Sequence, residues 1–325
     1  MKELKLYCGI DISNETIDIC YQTDNENFVS DKLSNTAEGF KKLLKLLGKS
    51  YHFVMETTGV YHLPLCFFLH AKKVAYSVVP ALQIKRFIQM NLERNKSDKK
   101  DAINICKYGI SQKPQQYEMP DQMYFECKAL NNAIEGITNE ITVFKNKLHA
   151  INKLNLKDKL VAKVYQNLIM ELQTQLKKLE EQLNKKLVEW QPELVKLVSS
   201  IPGIGKRATS ILIVSTQGFK YTDNYKQLIS FAGLSPKEFS SGTSIKSKVK
   251  ICKMGGGRLR HVLYMGALNA KENNPACKEL FDRLVAKGKN KKLAVIAVCN
   301  KMLKQVFGVV KNQELFNKNY LQKSA

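Results

Sequence analysis

Long hydrophobic runs are missing from this sequence of 325 residues. No apolar stretch approaches the roughly 18 residues that a membrane-spanning helix needs. The chain opens with Met1-Lys2-Glu3-Leu4 and passes directly into a strand pattern, which differs from a cleavable signal peptide. We therefore expect a cytoplasmic protein that has no membrane partner.

Paired cysteine motifs are missing too. The eight cysteines contain no C-x-x-C pair, which argues against a structural zinc site. Most of them lie inside apolar segments, where a free cysteine behaves as a small buried hydrophobe. We expect reduced thiols in the cores of two or three domains, since a chain of this length can fold without disulfides.

Acidic residues are scarce relative to basic ones. The chain has 29 Asp or Glu against 52 Lys or Arg, for a net charge of +23. Residues 237–325 hold 19 of the basic and 5 of the acidic residues, so 14 of the net positive charges lie there. Because Lys and Arg neutralise phosphates, this C-terminal segment is the predicted nucleic-acid-binding face.

Strand and helix signals alternate in the N-terminal part, which we assign as a domain of residues 1–115. Helices are predicted from about Thr36, around 63–70 and after Pro80. Strands are predicted at 6–11, 16–21, 27–30, 52–56 and 75–79. Three strands followed by helix, strand, helix, strand and helix fit an α/β sheet of the ribonuclease H type.

A helical spacer is predicted for residues 116–198. Apolar residues recur there at spacings of three and four along two runs: Ile134, Ile137, Ile141, Phe144, Leu148 and Ile151, then Leu172, Leu176, Leu179 and Leu183. We expect two long antiparallel helices joined near residues 155–158. They would form either a coiled-coil-like spacer that also serves as an oligomer contact, or two helices of an ordinary bundle.

The remaining residues, 199–325, are predicted to form a mainly helical C-terminal domain. Its first feature is the turn Ile201-Pro202-Gly203-Ile204-Gly205 between two helical patterns. This turn resembles a helix-hairpin-helix, in which the backbone of Gly203 and Gly205 approaches a phosphate and Lys206 begins the next helix. A plain turn is the alternative interpretation.

Four carboxylates stand at positions that suit a metal site. Asp11 and Glu56 each end a predicted strand, and Asp98 and Asp101 lie three residues apart on a predicted helix. Singly, each acid has an ordinary explanation, such as a turn residue, a helix cap or a surface ion pair. Their order and placement together predict a site for Mg²⁺, or alternatively Mn²⁺, that supports phosphoryl transfer.

A candidate nucleophile lies in the serine-rich stretch 240–244. Ser241 precedes a series of cations that could contact phosphates and lower its pKa: Lys246, Lys248, Lys250, Lys253, Arg258 and Arg260. The residues alone leave open whether Ser241 or Ser244 reacts, or whether the loop only anchors a DNA backbone. No His or acid lies nearby in the sequence as an obvious base.

Six segments resemble, in the same order, the signatures of the DEDD transposases of the insertion sequence 110 family, and they extend over nearly the whole chain. They are Tyr7-Cys8-Gly9-Ile10-Asp11, Met55-Glu56-Thr57-Thr58-Gly59-Val60-Tyr61, Asn95-Lys96-Ser97-Asp98-Lys99-Lys100-Asp101-Ala102, Ile201-Pro202-Gly203-Ile204-Gly205, Phe231-Ala232-Gly233-Leu234-Ser235-Pro236 and Ser241-Gly242-Thr243-Ser244.

The resemblance implies a RuvC-like domain with Asp11, Glu56, Asp98 and Asp101 as metal ligands. It implies that Ser241 attacks DNA and forms a covalent phosphoserine link within a helical transposase domain. A structured noncoding RNA, the bridge RNA, is implied to pair with donor and target DNA. The resemblance further implies a bacterial, nucleoid-associated homo-oligomer, a dimer or tetramer, in which the carboxylates of one subunit meet the serine of another.

Two other functions remain open from the residues themselves. The first is a metal-dependent nuclease of the Holliday-junction resolvase type, in which water is the nucleophile. The second is a noncatalytic nucleic-acid-binding protein whose acids are structural. The chain does not encode the DNA target or the RNA sequence, because base pairing would carry that specificity.

Overall fold

Two units make up the computed structural model, Met1–Met119 and Pro120–Ala325. The structure describes residues 6–23, 27–57, 59–91, 98–154, 159–237, 240–241, 245–246 and 250–318. For residues 98–99, 240–241 and 245–246 the description is confined to the backbone.

A five-stranded mixed sheet forms the centre of the first unit. Its strands are β1 (Leu6–Ile12), β2 (Thr16–Gln22), β3 (Phe28–Ser34), β4 (Tyr51–Glu56) and β5 (Tyr76–Val79). They are arranged in the order β3-β2-β1-β4-β5. Strands β1, β2 and β3 are antiparallel, whereas β4 runs parallel to β1 and β5 parallel to β4. The predicted N-terminal α/β domain is confirmed.

Helices cover both faces of this sheet: α1 (Ala37–Leu47), α2 (Leu63–Ala71), α3 (Ala81–Met90) and α4 (Asp98–Gln112). Helix α1 begins after Thr36, whose hydroxyl accepts a hydrogen bond from the Gly39 N–H. Helices α1 and α2 pack with Cys8 and Ile10 of β1 on one face. Helix α4 packs with Tyr7 on the opposite face, as the alternation of side chains along a strand requires.

The contact between α4 and β1 is a backbone contact at Gly9. A methyl group built on Gly9 would lie 2.2 Å from the backbone nitrogen of Cys106 and 2.4 Å from the carbonyl oxygen of Ala102. Any side chain at this position would push the helix off the sheet. Glycine is therefore required for α4 to lie flat across β1.

An antiparallel helical hairpin opens the second unit and comprises α5 (Gln122–Lys153) and α6 (Leu160–Trp190). The Trp190 indole N–H donates to the Asp121 carboxylate at 2.8 Å, so the start of α5 meets the end of α6. Nearer the other end, the rings of Phe144 and Tyr165 lie 5.8 Å apart. The predicted joint at 155–158 lies outside the described residues.

The rest of the second unit is helical, with four short strands among the described residues. The helices are α7 (Pro192–Ser199), α8 (Lys206–Ser215), α9 (Tyr225–Phe231), α10 (Gly257–Asn273), α11 (Pro275–Ala286) and α12 (Lys291–Asn312), and the strands are β6 (Pro236–Lys237), β7 (Ser240–Ser241), β8 (Ile245–Lys246) and β9 (Lys250–Ile251). The predicted helical character is confirmed. The division of this unit at residue 198 stays a prediction.

The expectation that no apolar stretch approaches the length of a membrane-spanning helix is wrong for one described segment, because α12 is long and apolar enough by length and composition alone. Its side chains Val298, Met302 and Val306 are instead completely buried in the core of the second unit. Helices α10 and α11 both pack against it. We therefore interpret α12 as the central core helix of this unit.

The cysteines are free thiols, and seven of the eight are buried, with Cys252 partly exposed. The prediction of reduced core cysteines is confirmed. Burial raises the pKa of Cys66, Cys277 and Cys299 to about 12, so these thiols stay protonated at neutral pH.

We predict that Gly9→Ala lowers the free energy of unfolding by about 2 kcal/mol, because the added methyl overpacks the contact with α4. Gly136→Ala is the matched control, since a methyl there meets no atom within 4 Å on helix α5. It should be neutral or stabilising by up to about 1 kcal/mol. Thermal unfolding monitored by circular dichroism measures both, and equal stability of Gly9→Ala and wild type would contradict the contact.

Candidate functional site

Sheet register brings two of the predicted acids side by side. In the parallel pair of β1 and β4, Ile10 lies opposite Met55, so the next positions, Asp11 and Glu56, are neighbours. Adjacent strands are about 4.8 Å apart. Asp11 shares a face with Gly9, and Glu56 shares that face with Val54, which packs near α4. Both carboxylates thus belong to the face that α4 covers.

Helix α4 runs antiparallel to β1, with its N-terminal end towards Asp11. Methyl groups built on the helix and strand show this direction: one on Gly109 would meet Tyr7, whereas one on Gly9 would meet Ala102. The first turn of α4 therefore approaches the end of β1. Asp101 lies in that turn and is partly buried, and the backbone of α4 begins at Asp98. Asp11, Glu56 and Asp101 thus belong to the same end of the sheet, which we call the carboxylate corner.

One acid at this corner, Asp18, was not predicted from the sequence. Asp18 on β2 lies directly opposite Asp11 in the antiparallel pair and so shares its face. The Lys32 ammonium lies 3.1 Å from the Asp18 carboxylate, whose side chain is only 16% exposed. The turn between β1 and β2 fixes this register, so counting back from the turn would have found Asp18. The ion pair offsets one negative charge at the edge of the site.

Among the residues that the structure describes, no group of three or more His, Cys, Asp or Glu side chains lies close enough to hold a metal ion. The Asp98 side chain is not among them. The donor set itself consists of carboxylate oxygens, the ligands that suit Mg²⁺ and Mn²⁺. The chemistry of these residues therefore fits the predicted ion.

Ser241 lies on a small two-stranded ribbon in the second unit. Its strand β7 pairs with β8, where Ser241 is opposite Ile245. Nearer the helices, β6 pairs with β9 through Pro236 opposite Ile251. We call the four strands β6, β7, β8 and β9 the serine ribbon. Ser244 and Lys248 lie outside the described residues, while Lys250 and the following Lys253 are exposed.

Two of the predicted nucleic-acid contacts already have partners within the second unit. The Arg258 guanidinium donates to the Asn131 carbonyl oxygen at 2.8 Å and to the Glu135 carboxylate at 2.7 Å, which ties α10 to α5. Arg260 donates to two backbone carbonyls at the foot of the serine ribbon. Their role as nucleic-acid contacts stays a prediction.

The Pro202–Gly205 turn connects α7 to α8, and its two glycines have different surroundings. Gly203 has φ +98°, and a methyl on it would lie 2.6 Å from the Ala270 Cβ and 2.8 Å from the Gly266 carbonyl oxygen on α10. Gly205 is exposed, and a methyl on it would meet no atom within 4 Å. Packing explains the first glycine, whereas Gly205 and the exposed Lys206 leave backbone open to a ligand.

We predict that Gly203→Ala destabilises the second unit by about 2 kcal/mol, because it combines positive φ with overpacking against α10. Gly205→Ala should cost less than about 1 kcal/mol, since alanine is only a poorer N-cap for α8. Thermal unfolding of both variants measures the difference. Filter binding to a DNA duplex should show weaker binding for Gly205→Ala, and unchanged binding would contradict a phosphate contact at Gly205.

Two family models match the chain. Residues 8–154 match the DEDD transposase model of IS110, and residues 195–282 match the transposase model of the IS116/IS110/IS902 family. The first match contains the carboxylate corner and hairpin helix α5. The second contains the Pro202–Gly205 turn and the serine ribbon.

Similar proteins agree with these matches. The pilin gene-inverting proteins of Moraxella lacunata and Moraxella bovis are each 28% identical over 325 aligned residues, covering 97% of this chain and 98% of theirs. An uncharacterized protein of insertion element IS110 from Streptomyces coelicolor is 30% identical over 139 residues, covering 42% of this chain and 33% of that protein. The chain belongs to the IS110 family of transposases.

Proposed function

We propose that this transposase cuts and rejoins DNA through Ser241, assisted by Mg²⁺ at Asp11, Glu56, Asp98 and Asp101. The observation that carries the proposal is the register of β1 and β4, which makes Asp11 and Glu56 neighbours on the face where α4 begins. Membership of the family supports DNA as the substrate.

The N-terminal sheet is proposed to be of the ribonuclease H type and RuvC-like. In support, its order is β3-β2-β1-β4-β5, with an antiparallel half and a parallel half that meet at β1. Ligands in α/β sheets bind at the carboxyl ends of strands. Asp11 and Glu56 stand at the ends of the two strands at this junction.

The four acids would hold Mg²⁺ through carboxylate oxygens, with Mn²⁺ as the alternative. A bound ion would supply positive charge beside the phosphate that reacts. The protein's own contribution is to hold Asp11 and Glu56 at fixed spacing on paired strands and to bring the first turn of α4 to them. The Lys32–Asp18 pair limits the negative charge at the β2 edge.

The serine step conserves phosphodiester bonds. As the Ser241 Oγ–phosphorus bond forms, one phosphorus–oxygen ester bond of the DNA breaks, and the hydroxyl proton passes to a base while the leaving oxygen gains a proton. The covalent phosphoserine keeps the bond energy. A free DNA hydroxyl can therefore reverse the step at a new position, which is how cutting becomes rejoining.

The base for this step is proposed to come from another subunit, in a dimer or tetramer with composite sites. A bridge RNA that pairs with donor and target DNA is the proposed source of specificity, and a nucleoid-associated cytoplasmic location stays a prediction. The name of the Moraxella relatives describes inversion of a pilin gene, which supports rearrangement of DNA as the reaction class.

The distribution of positive charge supports the proposal that the second unit binds nucleic acid. Residues 284–313 contain seven lysines and no acidic residue. The segment from Lys287 to Leu293, which comprises the α11–α12 connection and the start of α12, is exposed. Two polyanions, DNA and guide RNA, require more such surface than a single duplex does.

We predict that Ser241→Ala abolishes both strand cleavage and the covalent protein–DNA adduct. The measurement uses a labelled duplex spanning an end of the element together with the RNA that copurifies, with adducts resolved on denaturing gels. Asp11→Asn should also abolish cleavage, because it removes a ligand charge from the carboxylate corner. Ser244→Ala is the control and should retain the adduct.

Each result separates this proposal from another function. Normal cleavage by Ser241→Ala combined with loss in Asp11→Asn would select a nuclease that uses water. Retained recombination in the double variant Glu56→Gln, Asp98→Asn would exclude a catalytic role for the acids. Copurified RNA without segments matching the element ends would contradict the bridge RNA.

We predict that Lys250→Ala with Lys253→Ala weakens binding to a 30-base-pair duplex and lowers the slope of log affinity against log salt by about 2. Each phosphate contact contributes about 0.9 to that slope. The matched control is Lys177→Ala with Lys178→Ala, an equal charge change at exposed positions of α6. Identical slopes for the two double variants would contradict a specific basic face.

A further inference from the structure

The serine ribbon joins the helices of the second unit at a narrow base. The ladder of β6 and β9 continues there through backbone hydrogen bonds from the Cys252 N–H to the Ser235 carbonyl oxygen at 2.8 Å and from the Lys253 N–H to the Gly233 carbonyl oxygen at 3.0 Å. We call residues 231–235 and 252–256 the ribbon base. Its two sides are thus held together before the ribbon extends towards Ser241.

Arg260 clamps the ribbon base from the first turn of α10. Its Nη1 donates to the Ala232 carbonyl oxygen at 3.0 Å and to the Gly255 carbonyl oxygen at 3.2 Å, one on each side of the base. Ala232 is the C-cap of α9, where carbonyls have no partner within the helix. A cation is favourable at that negative end of the helix dipole.

Two glycines allow the two sides of the ribbon base to approach each other closely. Gly233 has φ +67°, and a methyl on it would lie 2.4 Å from the Arg260 Nη1. Gly255 has φ +125°, and a methyl on it would lie 2.3 Å from the Phe231 carbonyl oxygen. Both sides of the base are therefore in backbone contact, and neither tolerates a side chain without moving.

The residues that flank the Arg260 clamp belong to the buried core of the second unit. Ala232 and Leu234 are buried, and so is Leu259, the neighbour of Arg260. Ser241 follows the ribbon base along the chain. A change in the ribbon base that displaced the Ser241 hydroxyl by about 1 Å would cost on the order of 10²-fold in rate.

We infer that Arg260 is a positioning residue for Ser241, acting through the ribbon base and not as a contact to nucleic acid. The inference rests on the proposed function, because it takes Ser241 as the nucleophile. It gives Arg260 a different role from the one expected from its place in a basic stretch.

The test is single-turnover adduct formation by Arg260→Ala and Arg260→Lys, with the element-end duplex and the copurified RNA. Arg260→Ala should form the adduct about 10²-fold more slowly. Arg260→Lys should fall between it and wild type, because a flexible ammonium keeps the charge but loses the fixed directions of the guanidinium N–H groups. Duplex affinity and its salt slope should equal those of wild type for both variants.

Hydrogen exchange supplies a readout that does not depend on activity. The Cys252 and Lys253 amides should exchange faster in Arg260→Ala and in Gly255→Ala, with exchange in α12 unchanged. Gly48→Ala is the control, since Gly48 also has positive φ, +69°, but a methyl there meets only the Ser50 Oγ, at 4.0 Å. Its exchange at the ribbon base and its adduct rate should match wild type.

Two outcomes would overturn the inference: a normal adduct rate in Arg260→Ala, or a rate loss that parallels weaker duplex binding and a shallower salt slope. If Arg260→Ala unfolds the second unit, the adduct rate, duplex affinity and salt slope of Arg260→Lys test the inference instead. Failure of the proposed nucleophile is a separate result. It would appear as a retained adduct in Ser241→Ala, whatever the exchange at the ribbon base.

Discussion

The close backbone contact between β1 and α4 at Gly9 governs the first unit. It sets the height of the helix above the sheet, and its direction brings the first turn of α4 to the end of β1. Sheet pairing then supplies Glu56 beside Asp11. The carboxylate corner is therefore built from backbone geometry, which is stiffer than any arrangement of long side chains. A site that must hold several like charges needs such stiffness.

Close backbone contacts at glycines occur at two further places in the second unit. Gly203 on the turn before α8 packs against Gly266 of α10, and a methyl on either would collide with the backbone of the other segment. Gly233 and Gly255 let the two sides of the ribbon base touch while Arg260 fills the remaining gap. Helix α10 takes part in both contacts, so the turn and the serine ribbon share one rigid support.

Much of the first unit could be predicted from local pattern. Strands β1 and β4 end where alternating and apolar residues end, and Thr36 marks the start of α1. The edge strand β3 extends past the predicted residue 30 to Ser34, because pairing with β2 stabilises polar residues that carry no local strand signal. The acids Asp11 and Glu56 could be predicted for the same reason, because the end of a strand can be recognised from the local sequence.

The rest depends on contacts between distant segments. The two-residue strands of the serine ribbon have no periodicity, and only pairing defines them. Sequence alone gives Arg258 and Arg260 as members of a basic stretch, whereas the fold engages both with carbonyls and a carboxylate. A count of cations therefore overestimates the surface available to nucleic acid wherever acceptors within the protein already bind some of those cations.

Charge balance links the two kinds of site. Asp18, Asp11 and Glu56 occupy neighbouring positions on three adjacent strands, and two unit charges 4 Å apart interact by about 4 kcal/mol at an effective dielectric constant near 20. Lys32 compensates the outermost acid. A divalent cation is a compact counter-charge for the acids nearer α4, and a DNA phosphate is an anion that such a cation would bring to them. In the proposed function, a metal ion at the carboxylate corner would lower the repulsion between these acids and a DNA phosphate, and the basic second unit would attract DNA with or without the ion.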